Sequence, residues 1–302
     1  MSVELRYRGR FAPSPSGPLH FGSLVAAISS WCDARASKGD WLLRIEDVDQ
    51  TRSRPGASDA ILATLEAYGF EWDGPVVRQS ERSALYAAAL DDLIRRRMAF
   101  ACACTRRELE LAAPDKAGER VYPGTCRQGV PTGREGRSWR VAVTDEIVSF
   151  DDRLQGMQEQ QLARDVGDFV LKRADGLFAY QLAVVVDDGL QGITHIVRGA
   201  DLLLSTPRQI WLQRQLGYAT PSYLHHPIAL DARGRKLSKQ AAARALSPHA
   251  LSQLREAWTF LDQPEPPSPP ESVGEFWRWA HAAWNARRLP PVIMLPAPRS
   301  CS

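Results

Sequence analysis

The sequence predicts an α/β protein built on a parallel sheet, and three observations carry the prediction. They are a strand pattern near the N-terminus, a proline-broken loop leading into a helical pattern, and a second strand directly after that helix. Strand–loop–helix–strand is the order that builds a parallel sheet with right-handed crossovers. Val3, Leu5 and Tyr7 alternate with polar residues towards Arg10-Phe11-Ala12, the period-two signature of a strand. After Pro13–Pro18, Leu24, Ile28, Trp31 and Cys32 recur at helical spacing, with Gly39 just past the helix end. Trp41-Leu42-Leu43-Arg44-Ile45 is a short apolar strand ending at Glu46-Asp47. Ile61, Leu62, Leu65 and Tyr68 mark a second helix closed by Gly69.

The pattern breaks after Phe100. From there to about Ser149 the chain is rich in Gly, Pro and Arg and holds three cysteines, which reads as an insertion. Further on, the apolar, partly β-branched run Phe178–Val186 reads as sheet-like, Gly192–Val197 as a second short strand, and Thr206–Leu216 as a helix. A Rossmann-like catalytic core is therefore expected in two halves, 1–99 and 166–217, separated by the insertion 100–165. Residues 218–302 read as a loop and a short helical C-terminal region, with a proline-rich linker at 263–270 before Phe276, Trp277, Trp279 and Trp284.

With 44% apolar and 24% charged residues, the composition is that of an ordinary globular protein with material for a core. No apolar run approaches the roughly 20 residues that cross a bilayer, and Met1–Leu5 lacks the apolar heart of a secretory signal. A cytoplasmic location with no membrane partner is expected, and nothing demands more than a monomer. The net charge of +3 is too small to imply nucleic acid. Yet Arg95, Arg96, Arg97, Arg106, Arg107, Arg120, Arg127, Arg134, Arg137 and Arg140 crowd one third of the chain, and the arginine fork suits phosphate. On charge alone, a solvated basic surface is the more economical reading.

Five cysteines, an odd number with no export signal, argue against a disulfide framework. Cys102, Cys104 and Cys126 cluster, which favours a metal, while Cys32 belongs to a helical apolar pattern and reads as core. A structural zinc takes four ligands. No histidine lies between His20 and His195, so Tyr122 is the candidate fourth ligand, with Asp115 or water as alternatives.

Two distant segments carry the chemistry. The run Arg10–Ser23 joins the first strand to the first helix, and ligands of open parallel sheets sit at the carboxyl ends of strands. Prolines stiffen it, Gly17 and Gly22 allow close backbone approach, and a helix beginning near Gly22 offers N–H groups to phosphate. His20 is placed to donate a hydrogen bond to a phosphoryl oxygen as charge develops. More than two hundred residues later, Gly234-Arg235-Lys236-Leu237-Ser238-Lys239-Gln240 puts two lysines three apart, suited to a leaving pyrophosphate. ATP bound between the two segments, activating a carboxylate as an acyl-adenylate, is the reading they support together.

These segments resemble the signatures of the class I aminoacyl-tRNA synthetases, a His-x-Gly-His loop and a Lys-Met-Ser-Lys-Ser loop. Here they stand as His20-Phe21-Gly22-Ser23 and Lys236-Leu237-Ser238-Lys239-Gln240. Ser23 replaces the second histidine, as is common in the glutamate branch. That branch is also suggested by Arg10–Ser14, by Arg44-Ile45-Glu46-Asp47 with Asp49 and Arg52, and by Trp72-Asp73-Gly74 with Gln79-Ser80. Tyr180–Asp188 and Val197–Leu203 point the same way, so the likeness spans about residues 5 to 245.

The resemblance implies a glutamate pocket of Arg10, Ala12, Ser14, Glu46, Tyr180 and Arg198. In it Arg10 and Arg198 face the side-chain carboxylate, Glu46 the α-ammonium, and Tyr180 adds a neutral hydrogen bond. It implies ATP with Mg²⁺ on Pro13, His20, Gly22, Ser23, Lys236, Ser238 and Lys239, with His20, Lys236 and Lys239 catalytic. It also favours Tyr122 as the fourth zinc ligand beside Cys102, Cys104 and Cys126. The short chain after Gln240 is similar to truncated glutamyl-synthetase paralogues that lack the anticodon-binding domain. Those activate glutamate without tRNA and pass it to the queuosine base at the wobble position of tRNA(Asp). A short glutamyl-tRNA synthetase charging a 3′ end, another small-molecule nucleotidylyltransferase and a non-catalytic RNA-binding paralogue are the competing readings.

Overall fold

The structure is a computed structural model, and it describes residues 6–112, 114, 118, 120–237 and 244–298. Ser238, Lys239, Gln240, Asp115 and Cys301 lie outside the described residues. In chain order the first elements are β1 (Arg8–Phe11), α1 (Phe21–Ala36), β2 (Asp40–Ile45), α2 (Ala57–Ala67), β3 (Val77–Arg78) and α3 (Ser83–Arg95). Next come β4 (Ala99–Cys102), α4 (Arg106–Glu110), β5 (Ser138–Val141), β6 (Ile147–Asp152), β7 (Gly156–Gln161), α5 (Leu162–Asp165) and β8 (Val170–Lys172). Then follow α6 (Tyr180–Leu190), β9 (His195–Gly199), α7 (Thr206–Leu216), β10 (Ser222–His226), β11 (Ile228–Leu230), α8 (Ala250–Phe260), α9 (Val273–Ala283) and β12 (Met294–Pro296).

β1, β2 and β3 pair in parallel, and so do β9, β10 and β6, with β7 antiparallel beyond β6. The two groups meet where β1 runs beside β9. The Thr194 N–H donates to the Arg8 carbonyl at 3.0 Å, and the Arg8 N–H donates to Thr194 Oγ1 at 2.8 Å. From β1 the chain goes by way of α1 to β2 on one side, whereas β9 arrives late on the other. That reversal is a topological switch point, the place where a doubly wound sheet opens a crevice for ligands. A smaller antiparallel sheet, in the order β4-β5-β8, carries the cysteine segment.

The expected strand Trp41–Ile45 falls within β2, and the expected helix Thr206–Leu216 coincides with α7, ended by Gly217 at φ 74°. Gly192–Val197 is partly turn: Gly192 sits at φ 63° and the strand begins at His195. The sheet-like reading of Phe178–Val186 is wrong, because Tyr180–Leu190 is helix α6. Its Leu182 to Asp188 are all buried, so the apolar run shows no helical period, and Val184-Val185-Val186 imitates a strand.

The tryptophan-rich C-terminal stretch does not form a unit of its own. Trp277 meets Trp31 of α1 edge to face at 4.5 Å, and Trp258, Phe276 and Trp284 join the same apolar core as Phe11, Trp31 and Trp41. A buried carboxylate ties these parts together. Asp33 of α1 accepts from Tyr7 Oη at 2.6 Å, from Arg153 of the β6–β7 turn at 2.6 and 2.9 Å, and from Trp284 Nε1 at 3.4 Å. Burial works against its charge, but Arg153, Tyr7 and Trp284 outweigh it and hold the carboxyl below its ordinary range.

Arg153 is one third exposed and can reach water if left alone, so removing Asp33 costs roughly the 1.5–3 kcal/mol of a hydrogen bond to a charged group. Asp33→Ala is therefore expected to lower the urea-unfolding free energy by about that much at neutral pH. The gap is full above the unfolded carboxyl's value of about 3.9, and it narrows as the pH falls below that towards the depressed folded value. An unchanged urea midpoint would remove Asp33 as the tie.

Candidate active site

β1 delivers Arg10 and Phe11 to the switch point, and the following loop is fixed from below. The Glu46 N–H donates to the Pro13 carbonyl at 3.0 Å and the Arg54 N–H to the Pro15 carbonyl at 2.9 Å. His20 is the N-cap of α1, and its Nδ1 accepts the Ser23 N–H at 3.3 Å. An imidazole accepting at Nδ1 carries its proton on Nε2. The cap thus turns His20 into a hydrogen-bond donor beside the N–H groups of a helix start with no acidic residue in its first turn. Gly22 keeps this corner open: a Cβ there would stand 3.2 Å from His20 Cε1 and 3.4 Å from the Leu237 carbonyl.

A cleft of about 250 Å³ lies at this corner, lined by Pro13, Ser14, His20, Gly22 and Ser23 on one side. Gly199 and Asp201, from the end of β9, and His226 to Ala229 with Lys236 close the other. The second signature segment reaches the cleft because the chain doubles back after β11: the Leu237 N–H donates to the Ala229 carbonyl at 2.8 Å. Lys236 Nζ rests on the Asp201 carboxylate. That carboxylate lies against Gly199, where a Cβ would come within 2.6 Å of Asp201 Oδ1. The structure thus brings the two segments together, except for Ser238 and Lys239, which lie outside the described residues.

Behind the loop is a buried cluster of charge. Arg10 Nε meets Asp188 at 3.2 Å, and Arg44 contacts Asp188 at 2.8 Å, Glu46 at 3.2 Å and Asp187 at 3.8 Å. Asp187 also receives Arg82, Tyr86 and Gln79. Burial opposes the charge of Asp188, but Arg10 and Arg44 hold its carboxyl below the usual range. Glu46 is pushed up by burial in spite of Arg44 and Arg10. Tyr180, the first residue of α6, is pushed up to about 12 by burial and then by Glu46, so its hydroxyl stays a neutral donor. Ala12 sits just beyond β1, between Arg10 and the cleft-lining Pro13 and Ser14.

Arg198 is different. It is 5% exposed and forms no ion pair with any described residue. Its Nε donates to His225 Nε2 at 3.0 Å and its Nη2 to Thr206 Oγ1 at 2.9 Å, while Nη1 is buried with no hydrogen-bond partner. A buried cation held only by neutral groups is costly unless an anion arrives. Arg10 and Arg44 already have theirs. Sequence reasoning gave no role to Asp187, Asp188, His225, Thr206 or Asp152. Adjacent carboxylates inside an apolar run and a histidine pair ending a strand were the available signals.

In the smaller sheet, Cys102 Sγ lies 3.4 Å and Cys104 Sγ 3.7 Å from Tyr122 Oη, and Cys104 Sγ lies 3.7 Å from Cys126 Sγ. All three thiols fall within 4.8 Å of one another. Tetrahedral coordination at the usual bond lengths gives ligand–ligand edges of about 3.5–3.8 Å, so the four atoms fit one metal ion. The Cys126 N–H donates to Tyr122 Oη at 2.8 Å, which favours an oxygen acting as acceptor. Burial raises the Cys102 thiol, but Tyr122, the Cys104 N–H and Arg140 draw it down to about 7. Arg140 itself is buried, its guanidinium 4.1 Å over the Tyr122 ring. Arg95 and Arg96 pair with Asp92, Arg127 with Asp168 and Arg134 with Glu108, whereas Arg106, Arg107 and Arg137 form no ion pair with a described residue.

Comparisons with known proteins give the family. A family model described as tRNA synthetases class I (E and Q), catalytic domain, matches residues 6–257. The chain is 56% identical over 297 residues to the glutamyl-Q tRNA(Asp) synthetase of Dechloromonas aromatica, covering 96% of this chain and 99% of that protein. It is 53% identical over 294 residues to that of Thiobacillus denitrificans, covering 96% and 98%. Among solved structures, a glutamate tRNA ligase of Elizabethkingia meningosepticum, crystallised with its amino acid, superposes at a TM-score of 0.74 with 26% identity. The likeness covers 95% of this chain but 66% of the ligase, so the chain spans about two thirds of that protein's length. No described helix is long and apolar enough to cross a membrane. The chain belongs to the class I synthetases for glutamate and glutamine, and within them to the family of the glutamyl-Q tRNA(Asp) synthetases.

Proposed function

We propose that this protein activates L-glutamate with ATP as glutamyl-adenylate, without tRNA, and transfers the glutamyl group to the queuosine at the wobble position of tRNA(Asp), giving glutamyl-queuosine. The observation that carries the reading is Arg198, a buried guanidinium with neutral hydrogen-bond partners and a spare N–H, next in the chain to Gly199 of the cleft assembled from both signature segments. In this reading Arg198 takes the side-chain carboxylate of glutamate, with Arg10 adding positive charge. Glu46 faces the α-ammonium, Tyr180 donates a neutral hydrogen bond, and Ala12 and Ser14 shape the pocket.

The α-carboxylate oxygen attacks the α-phosphorus of ATP, the bond to the β-phosphate oxygen breaks, and pyrophosphate leaves. Positioning and charge stabilisation supply most of the rate. His20 Nε2–H, the Gly22 N–H and the Ser23 hydroxyl face the phosphates beside Pro13. Lys236, exchanging Asp201 for phosphate, joins Ser238 and Lys239 on the leaving pyrophosphate, which Mg²⁺ accompanies. A hydroxyl of the queuosine cyclopentenediol then attacks the acyl carbon; it loses its proton, and AMP departs. Arg106, Arg107 and Arg137 are available to the backbone phosphates of the anticodon arm. The Cys102, Cys104, Tyr122 and Cys126 set holds one structural zinc, which would pin the segment that carries those arginines.

Mass spectrometry of the wobble nucleoside of tRNA(Asp), after incubation with enzyme, ATP and glutamate, is expected to show queuosine gaining one glutamyl group. tRNA(Asp) from cells unable to make queuosine is expected to remain unmodified. Glutamylation of that tRNA at its 3′ end would overturn the choice of acceptor. Metal analysis of protein purified without an affinity tag is expected to give about one zinc per chain, and less in Tyr122→Phe. Zinc far below one in the wild type would remove that site.

A further inference from the structure

We propose that Asp152 and His225 form a positioning device for Arg198. Asp152 fixes the His225 tautomer, and His225 then holds the guanidinium in place without neutralising it. The proposal rests on the reading of Arg198 as the glutamate anchor. His225 and Arg198 are register partners on the parallel strands β10 and β9, which puts their side chains on one face of the sheet. Asp152 ends β6, opposite Tyr223 on the other flank of β10. Both Asp152 and His225 have fully buried side chains.

The two carboxylate oxygens of Asp152 do different work. Oδ1 accepts three backbone N–H groups, from Leu154 at 3.1 Å, Gln155 at 2.9 Å and His225 at 3.2 Å. Oδ2 is left for His225 Nδ1 at 2.6 Å. An ionised carboxylate only accepts, so Nδ1 must donate. Burial opposes the charge of Asp152, yet its hydrogen bonds keep the carboxyl below the usual range. Burial pushes His225 down to about 4, so the ring is neutral near pH 7. A neutral ring with its proton on Nδ1 presents a lone pair at Nε2, where the Arg198 Nε–H arrives at 3.0 Å.

The choice of partner matters more than the tether. A carboxylate in place of His225 would satisfy the same N–H but would cancel the charge, as Asp188 does for Arg10 and Arg44. Neutral His225 and Thr206 orient the guanidinium and leave the charge and Nη1 for the substrate.

Asp152→Asn tests the device because it is isosteric. The three backbone N–H groups keep the amide oxygen on their side, so the NH₂ faces His225 Nδ1. The ring must then carry its proton on Nε2, against the Arg198 Nε–H. In pyrophosphate exchange the KM for glutamate is expected to rise about tenfold or more, the worth of one lost hydrogen bond to a charged group. The KM for ATP should stay within about twofold. Nitrogen-15 NMR should show His225 protonated at Nδ1 in the wild type and at Nε2 in the variant, and the wild-type spectrum decides even if the variant fails to fold.

A wild-type ring protonated at Nε2, a tautomer switch that leaves the glutamate KM unchanged, or equal rises in both KM values would overturn the proposal. A wild type with the Nδ1–H tautomer but no glutamate-dependent exchange would overturn the anchor itself, and the positioning role with it.

Discussion

Everything around the candidate pocket turns on keeping one buried guanidinium out of a direct ion pair. Three arginines, Arg10, Arg44 and Arg198, converge behind the loop that follows β1, and burying three guanidiniums with no anions would cost more than a domain has to spend. Asp187, Asp188 and Glu46 absorb two of them. Arg198 is held by an imidazole nitrogen and a hydroxyl, so its charge survives in a medium of low dielectric. A carboxylate entering there meets a stronger field than it would at the surface. This gives a physical basis for selecting an acid over its amide.

The fold makes that arrangement available. β9 and β10 carry Arg198 and His225 as neighbours, β6 brings Asp152, and α7 begins with Thr206 beside them. The same strand ends, through Gly199 and His226, open onto the cleft between His20 and Lys236, so the proposed acid pocket and the proposed place for the phosphates share these strands. Two contacts there bear on the proposed phosphate site. The Ser23 N–H fixes the donor form of His20, and Asp201 pairs with Lys236 at the cleft wall. The tryptophan-rich C-terminal helices reach the site indirectly, by packing on α1, whose first turn lines the cleft.

Much of this was legible in the residues. A short apolar run marked β2, helical spacing closed by Gly69 marked α2, and Thr206–Leu216 read as the helix that is α7. The two signature segments were found by type and spacing, and the structure brings Lys236 to His20 across one cleft. What failed was α6, where burial on every side erased the helical period and a valine run imitated a strand. What stayed invisible were partnerships: nothing local in the sequence says that Asp188 neutralises Arg10, or that His225 and Asp152 serve Arg198. These depend on sheet order and register, which arise only when distant strands pair. The arginine-rich stretch shows the same limit, since Arg127, Arg134 and Arg140 turn out to be engaged within the protein.

Arg198, with no ion pair to a described residue and one N–H unpartnered, is proposed to select a negatively charged side chain of glutamate's length. The most direct test is pyrophosphate exchange into ATP without tRNA, comparing glutamate, glutamine and aspartate at equal concentration. Glutamate should support exchange, and glutamine, alike in shape but uncharged, should do so at least about a hundredfold less well, with aspartate also poor. Glutamine supporting exchange as well as glutamate would contradict the account.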